Sequence, residues 1–137
     1  MVRIAFGTDE STLLTAVLRD SIEARGHEVV TVVEDEAWPD VGRAVGEAVA
    51  SGRADLGVVC CWTGTGVSIA ANKVGGVRAA LCTDAETARG ARRWNDANVL
   101  ALGLRLTSAA VAEEALEAFL STGPDPDEQD TIARLDA

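Results

Sequence analysis

Short apolar runs alternate with amphipathic segments along the first 122 residues. In the segment 11–26, apolar side chains recur at spacings of three and four residues, which is typical of a helix with one buried face. The runs between such segments are almost continuously apolar, as expected of strands covered on both faces. The pattern predicts strands at 2–7, 28–33, 56–60, 77–82 and 98–103. It predicts helices at 11–26, 39–52, 66–73, 84–94 and 108–122.

This regular alternation predicts an α/β fold, in which a five-stranded parallel sheet carries helices on both faces. Residues 1–122 form one domain in this interpretation, because a chain of 137 residues is long enough for a single core. Residues 123–137 contain two prolines and five acidic residues. We expect them to form a linker and a turn of helix that packs on a partner subunit or frays.

The net charge of −10 disfavours nucleic acid and anionic membranes as partners. It also means that an anionic substrate needs concentrated local donors. No apolar stretch approaches the roughly 20 residues that span a bilayer, and the first residues do not resemble a signal peptide. The odd number of cysteines, all in apolar runs, favours free thiols in a reducing compartment. We therefore expect a cytoplasmic protein.

Ligands of open parallel sheets bind outside the carboxyl ends of the strands. Among the loops expected there, CWTGTG (61–66) is the most unusual. Gly64 and Gly66 permit a tight turn with inward-pointing N–H groups, and a helix that begins near Gly66 adds its positive end. The loop matches neither the P-loop nor the dinucleotide-binding pattern. It predicts a site that stabilises an anion.

Two adjacent cysteines end the strand before this loop. Period-two alternation places Cys60 and Cys61 on opposite faces, so only Cys61 can face the anion site. Backbone donors favour a thiolate, which can act as a base that forms an enediolate or as an acyl-transfer nucleophile. The nucleophile would need a nearby base, and the only histidine, His27, is expected at the opposite end of the sheet. The alternative for each cysteine, favoured for Cys60 and Cys82, is a small buried hydrophobe.

Three stretches carry a resemblance that spans residues 2–122. CWTGTGVSIAANKVGGVRAALC (61–82), TDAETARGARRWNDANVLALGLR (83–105) and FGTDES (6–11) resemble the ribose-5-phosphate isomerase B and galactose-6-phosphate isomerase family. The resemblance implies a Rossmann-like three-layer α/β/α sandwich and a homodimer or homotetramer with shared active sites. It also implies aldose–ketose isomerisation of a small sugar through an enediolate, without a metal or cofactor.

The resemblance assigns roles to individual residues. Cys61 would be the base at carbon, and Thr63 would assist proton movement at oxygen. The other implied site residues are the anion-hole backbone and the substrate contacts, namely Gly64, Thr65, Gly66, Val67, Ser68, Asp9, Asn95 and Arg105. Asp9 could instead serve as a charge at a helix N-terminus.

The chain departs from the family at several of these places. The family usually has histidine where this chain has Glu10 and Trp94, and glycine where it has Trp62. The second of those histidines is thought to open the sugar ring, and an indole N–H cannot exchange a proton in catalysis. The family's basic C-terminal segment, which helps hold phosphate, retains only Arg134 here. We therefore expect an atypical or unphosphorylated sugar rather than ribose 5-phosphate.

Three of the five aromatic residues are tryptophans near the expected site. We interpret Trp62 and Trp94 as walls of the pocket, since indole faces suit a sugar ring, and Trp38 as a core or dimer contact. Two further hypotheses stay open: an inactive family member that binds a small ligand, and a subunit completed by a different partner chain.

Two charged clusters have simpler interpretations. Arg89, Arg92 and Arg93 lie at helical spacing from Glu86 and predict a solvated face with ion pairs three residues apart. The acidic run 34–36 has no supporting histidine, so we expect a solvated loop rather than a metal site.

Overall fold

A computed structural model describes residues 1–136 and confirms the predicted alternation of strands and helices. The ends of the ten elements differ from the predicted ones by at most two residues. The strands are β1 (Arg3–Thr8), β2 (Glu28–Glu34), β3 (Leu56–Cys61), β4 (Ala79–Leu81) and β5 (Val99–Gly103). The main helices are α1 (Leu13–Ala24), α2 (Trp38–Ala50), α3 (Thr65–Asn72), α4 (Ala85–Asn95) and α5 (Ala109–Ser121).

The five strands form one parallel sheet in the order β2-β1-β3-β5-β4. From β1 the chain moves outward to β2 on one side, whereas β3 lies on the other side of β1. The carboxyl ends of β1 and β3 therefore flank a topological switch point, where open α/β sheets hold their ligands. Thr8 is paired with Cys60, and Cys61 with Gly103, so the carboxyl ends of the three central strands lie side by side at this end of the sheet.

Two cores cover the sheet and make it the middle layer of a Rossmann-like three-layer sandwich. One core packs α1, α4 and α5 against side chains that include Phe6 and Leu100. The other packs α2 and α3 against side chains that include Val59 and Ala101. Cys60 lies in the first core and Cys61 in the second, which confirms their predicted placement on opposite faces.

Three of the helices begin with a side-chain cap. Thr12 caps α1 and forms a reciprocal capping box with Thr15, while Asp84 and Ser108 cap α4 and α5. The hydrogen bond from the Thr87 N–H lowers the pKa of Asp84. Thr12 holds this cap and the first turn of α1 has no acidic residue, so Asp9 lies before the capped terminus.

The arginines of α4 differ in part from the prediction of a solvated face. Arg89 pairs with Glu86 at 2.8 Å, as the three-residue spacing predicts. Arg92, in contrast, is partly buried: its guanidinium donates to the carbonyls of Ala97 and Thr122 and lies over the ring of Phe119. The prediction for Arg92 was wrong because a long arginine stem lets the head reach carbonyls beyond its own helix.

The acidic tail returns to the body of the same chain. The Asp125 N–H donates to the Arg93 carbonyl at 2.9 Å, and the short helix α6 (Gln129–Ala133) buries Ile132. Two 3₁₀ turns flank α6, at Pro126–Glu128 and Arg134–Asp136. Packing of the tail on a partner subunit stays a prediction. Within residues 1–136, no helix has the length and apolar character needed to cross a membrane.

Candidate active site

The loop that follows β3 presents free backbone amides. Gly64 caps α3 in the left-handed conformation, with φ of +77°, which glycine adopts without strain. In the part of the chain that the structure describes, no group accepts a hydrogen bond from the N–H of Thr65, Gly66 or Val67. We call these three N–H groups the amide cradle, and the segment between β3 and α3 that leads into them the cradle loop. Together with the positive end of the helix they favour a negatively charged oxygen.

Ser68 contributes differently from its neighbours in the predicted anion hole. Its N–H donates to the Gly64 carbonyl at 3.3 Å, so this amide is already engaged in the first turn of α3. The hydroxyls of Thr63 and Thr65 lie 2.7 Å apart at the exposed side of the loop. A hydroxyl pair of this kind can pass a proton between two oxygen atoms, the role that the resemblance gives to Thr63.

The three thiols differ in their position relative to the cradle. Cys60 is fully buried, and burial, with smaller effects of Cys61 and Asp9, raises its pKa to about 12. Cys82 is also buried, and burial raises its pKa to about 11. Both are neutral thiols at physiological pH. Cys61, at 5% exposure, is the last residue of β3 and the thiol that directly precedes the cradle loop.

Asp9 lies across the switch point from this loop. Its backbone N–H donates to the Cys60 carbonyl at 3.3 Å. Its Oδ1 atom is buried and, among the residues described, has no hydrogen-bond partner. Burial, together with repulsion from Glu10, raises the pKa of this carboxyl group. A buried acceptor without a donor is costly unless a ligand supplies one, so Asp9 is suited to accept a hydrogen bond from a ligand hydroxyl.

The acidic run at the end of β2 binds the segment just before α1. The Ser11 hydroxyl lies within 2.9 Å of both Glu34 and Asp35 and has one hydrogen to share between them. The Ser11 N–H donates to Asp35 at 2.8 Å, which lowers the pKa of Asp35. Arg19 forms an ion pair with Glu34. Between Met1 and Asp136, no group of three or more histidine, cysteine or acidic side chains is arranged to hold a metal ion.

The three tryptophans, each about half exposed, lie in three different places. Trp62 lines a groove with Leu13 and Leu104, on the α1 and α5 side of the sheet and thus on the face opposite to Cys61. Trp38 lies at the start of α2 and packs directly on Gly66: a Cβ atom on Gly66 would come within 2.9 Å of the indole. Trp38, interpreted from sequence as a core or dimer contact, is therefore the tryptophan that touches the cradle.

The sequence contained two signals that Trp38 lies near the cradle loop. Pro39 follows it and is typical of the first turn of a helix, which places Trp38 at the same edge of the sheet as the cradle loop. Gly66 is the second signal, because a glycine inside the first turn of a helix indicates that another group approaches closely.

The remaining predicted residues are not all brought together within one chain. Trp94, near the end of α4, packs on Gly90 and lines a groove with Leu81. Asn95, the last residue of α4, also lines a groove with Arg78, where β4 and β5 begin. Arg105 is exposed and donates its N–H to the Trp62 carbonyl at 2.9 Å, beside the cradle loop. His27 accepts a hydrogen bond from the Val2 N–H before β1, at the edge opposite to the cradle, as predicted.

Comparisons with known proteins show the family to which the chain belongs. Residues 4–136 match the model of a family described as Ribose/Galactose Isomerase. Galactose-6-phosphate isomerase subunit LacB of Clostridium acetobutylicum is 39% identical over 128 residues, which cover 87% of this chain and 72% of the relative. Ribose-5-phosphate isomerase B of Escherichia coli is 38% identical over 128 residues, with coverage of 88% and 84%.

A solved structure shows the same architecture. Ribose-5-phosphate isomerase B of Clostridium thermocellum superposes with a TM-score of 0.89 at 36% sequence identity, and the match covers 98% of this chain and 95% of that one. The resemblance drawn from the sequence motifs is confirmed. The chain belongs to the Ribose/Galactose Isomerase family, and the relatives named above are sugar phosphate isomerases.

Proposed function

We propose that this chain is an aldose–ketose isomerase that works through an enediolate, with Cys61 as the base. The observation that carries the proposal is the position of a free amide cradle directly after the Cys61 strand end, at the switch point of the sheet. Isomerisation needs a base at carbon and donors at the oxygen that becomes negative. This loop supplies both within seven residues, 61–67.

The proposed steps balance as follows. The Cys61 thiolate removes the proton from the carbon next to the sugar carbonyl, and the electron pair moves to the carbonyl oxygen, which becomes the enediolate oxygen. The amide cradle stabilises that charge. Thr63 assists transfer of a proton between the two oxygen atoms, and the Cys61 thiol returns its proton to the neighbouring carbon. The mechanism uses no metal and no cofactor.

Asp9 orients the substrate in this proposal. Its buried Oδ1 needs a donor, and a sugar hydroxyl supplies one. The surrounding edge also carries Glu10, Glu34 and Asp35, while the net charge is −10. These charges oppose a phosphate group, and the tail that would hold one carries Arg134 as its single cation. We therefore propose an atypical or unphosphorylated sugar as substrate, although the printed activities of the relatives concern sugar phosphates.

The site is proposed to be shared between subunits. In one chain, Asn95 lines a groove where β4 and β5 begin, and Trp94 lines a groove beside β4 with Leu81 and Thr87. Neither groove includes a residue of the cradle. A homodimer or homotetramer would bring these residues of one protomer to the cradle of its partner. Arg105, beside the loop of its own chain, would contact the substrate. The three free, buried thiols suit a reducing compartment, so the proposal places the enzyme in the cytoplasm.

A second candidate is a subunit completed by a different chain. The observation that favours it is the similarity to LacB, which is described as a subunit of its enzyme. A related chain with a histidine at the position of Trp94 would then supply the ring-opening group. Co-purification of a homologous second chain, and activity only in the mixed complex, would support this candidate over a homo-oligomer.

Proton NMR in deuterated buffer tests the proposed function. The purified protein is mixed with free and phosphorylated aldoses and ketoses, and exchange of the C1 or C2 proton is followed. Exchange reports enediolate formation even where net conversion is small. We expect exchange with at least one unphosphorylated or atypical sugar. If no sugar exchanges while ligands still quench the tryptophan fluorescence, the chain is a ligand-binding member of the family without isomerase activity.

A further inference from the structure

The cradle loop lies directly on the end of β5, with no side chain between the two backbones. A Cβ atom on Gly103 would lie 2.7 Å from the Thr63 carbonyl oxygen and 2.9 Å from the Thr63 carbonyl carbon. Conversely, a Cβ atom on Gly64 would lie 2.8 Å from the carbonyl carbon of Leu102 and 2.9 Å from the Gly103 nitrogen. At Gly64 the Leu81 side chain also lies within 2.6 Å of that Cβ position, but at Gly103 all three nearest atoms belong to the Thr63 backbone, which cannot rotate aside as a side chain can.

Two hydrogen bonds hold the same contact. The Leu104 N–H donates to the Cys61 carbonyl and the Arg105 N–H to the Trp62 carbonyl, each at 2.9 Å. Cys61 is also paired with Gly103 in the sheet register. The backbone of residues 61–64, which leads into the cradle, is thus held by the end of β5, so β5 sets where the loop lies.

The backbone conformation of Gly103 gives no reason for a glycine there. Its φ lies outside the left-handed region, whose glycines in this chain are Gly26, Gly52, Gly64 and Gly76. Glycine within a strand lowers stability and often marks a close backbone approach. The approach of Thr63 therefore explains why position 103 has no side chain.

We infer that Gly103 is a positioning residue for the proposed isomerisation: its missing side chain lets the loop at Thr63 and Gly64 approach β5 and sets the amide cradle beside Cys61. The inference rests on the proposed function. A displacement of about 1 Å at a reacting centre can lower the rate about 100-fold. A methyl group at position 103 would move the Thr63 carbonyl by a distance of this order.

The test compares Gly103→Ala with Gly57→Ala. Gly57 lies at the other end of the sheet, where a Cβ atom would come within 2.7 Å of the Val45 side chain and 3.1 Å of Val99. It is therefore a matched control for crowding away from the site. The measurements are thermal unfolding, kcat and KM for sugar proton exchange, and the amide chemical shifts of the cradle.

We expect Gly103→Ala to lower kcat about 100-fold with KM changed less than about threefold, and to shift the amide resonances of Thr65 and Gly66. Gly57→Ala should lose thermal stability but keep kcat within about threefold. Equal kcat values for wild type and a folded Gly103→Ala variant would overturn this inference alone. Absence of exchange in the wild type would overturn the proposed function, and the inference with it.

A measurement on the wild type covers the case in which Gly103→Ala does not fold. Amide hydrogen exchange of Leu104 and Arg105 should be as slow as that of Leu102 inside β5, because their N–H groups are bonded to the cradle loop. Exchange of both amides at the rate of an open loop would show that β5 does not hold the loop, and would overturn the inference.

Discussion

The backbone N–H of Asp9 donates a hydrogen bond of 3.3 Å to the carbonyl oxygen of Cys60. This bond joins the first residue after β1 to the end of β3, across the switch point of the sheet. The Oδ1 of Asp9 is buried and, among the residues described, has no hydrogen-bond partner. The chain retains an acceptor that the folded protein itself does not satisfy, as expected of a group that awaits a ligand.

We predict that Asp9→Asn stabilises the protein at neutral pH while it lowers activity. Burial raises the pKa of Asp9 above the ordinary value of 3.8, so folding favours the protonated acid. The contribution of Asp9 to stability is therefore greatest below that ordinary value and is lost as pH rises through the raised one. The variant avoids this loss. Near pH 7 its free energy of unfolding should exceed that of the wild type by about 1 kcal/mol.

Chemical denaturation as a function of pH checks this prediction. The stability difference should vanish in acid, and the exchange rate of the sugar proton should fall about tenfold or more in the variant. Glu36→Gln is the control, since Glu36 is an exposed carboxylate at the same edge of the sheet, and its effect should stay within about 0.5 kcal/mol. A destabilised Asp9→Asn variant near pH 7 would contradict the account of Asp9.

The contact between Gly66 and Trp38 predicts a coupled pair. Gly66→Ala should destabilise the protein by about 1–3 kcal/mol, because the new methyl group meets the indole at 2.9 Å. In a Trp38→Ala background the same change should cost much less. A double-mutant cycle measures the difference, which we expect to exceed about 0.5 kcal/mol. Strict additivity would show that the indole does not lie on Gly66.

Most of the fold was predictable because its signals are local. Apolar spacing separates strands from helices, and period-two alternation alone places Cys60 and Cys61 in different cores. The contacts of Trp62 were not predictable in this way, and Pro39 and Gly66 indicated only the end of the sheet at which Trp38 lies, because the contacts depend on which helices flank the ends of β1 and β3. That arrangement follows from the strand order, which the pattern of one sequence does not contain.

The sequence prediction misjudged Arg92 and overlooked Gly103 for related reasons. Arg92 lies three positions after Arg89 on the predicted solvated face, yet its guanidinium reaches two carbonyls outside its own helix. The sequence pattern predicts only that Gly103 ends a strand. Its importance comes from a loop 40 positions earlier in the numbering, at Thr63, which folding brings onto it. Both depend on non-local contacts.

The substrate hypothesis predicts that Trp94→His does not by itself restore turnover of ribose 5-phosphate. A histidine could again open the sugar ring, but the phosphate would still face an acidic chain whose tail carries Arg134 as its single cation. A direct assay of ketose formation from ribose 5-phosphate measures this. Robust turnover by the single variant would show that the tail matters less than we propose.

The two fully buried thiols should matter for stability and little for activity. Cys60→Ala and Cys82→Ala each remove a buried sulfur atom from the core on the α1, α4 and α5 side, which should lower the free energy of unfolding by about 1–2 kcal/mol. Because burial raises the pKa of these thiols to about 12 and about 11, neither ionises near pH 7. Their kcat values should stay within about threefold of wild type.

The central claim is that Cys61 is the base, and deuterium incorporation at C1 or C2 of the exchanging sugar tests it most directly. Wild type, Cys61→Ala and Cys60→Ala are compared at equal concentration, after thermal unfolding has shown that each variant is folded. We predict that Cys61→Ala lowers the exchange rate about 1,000-fold or more, while Cys60→Ala stays near wild type. Exchange by Cys61→Ala at the wild-type rate would contradict the assignment of the base.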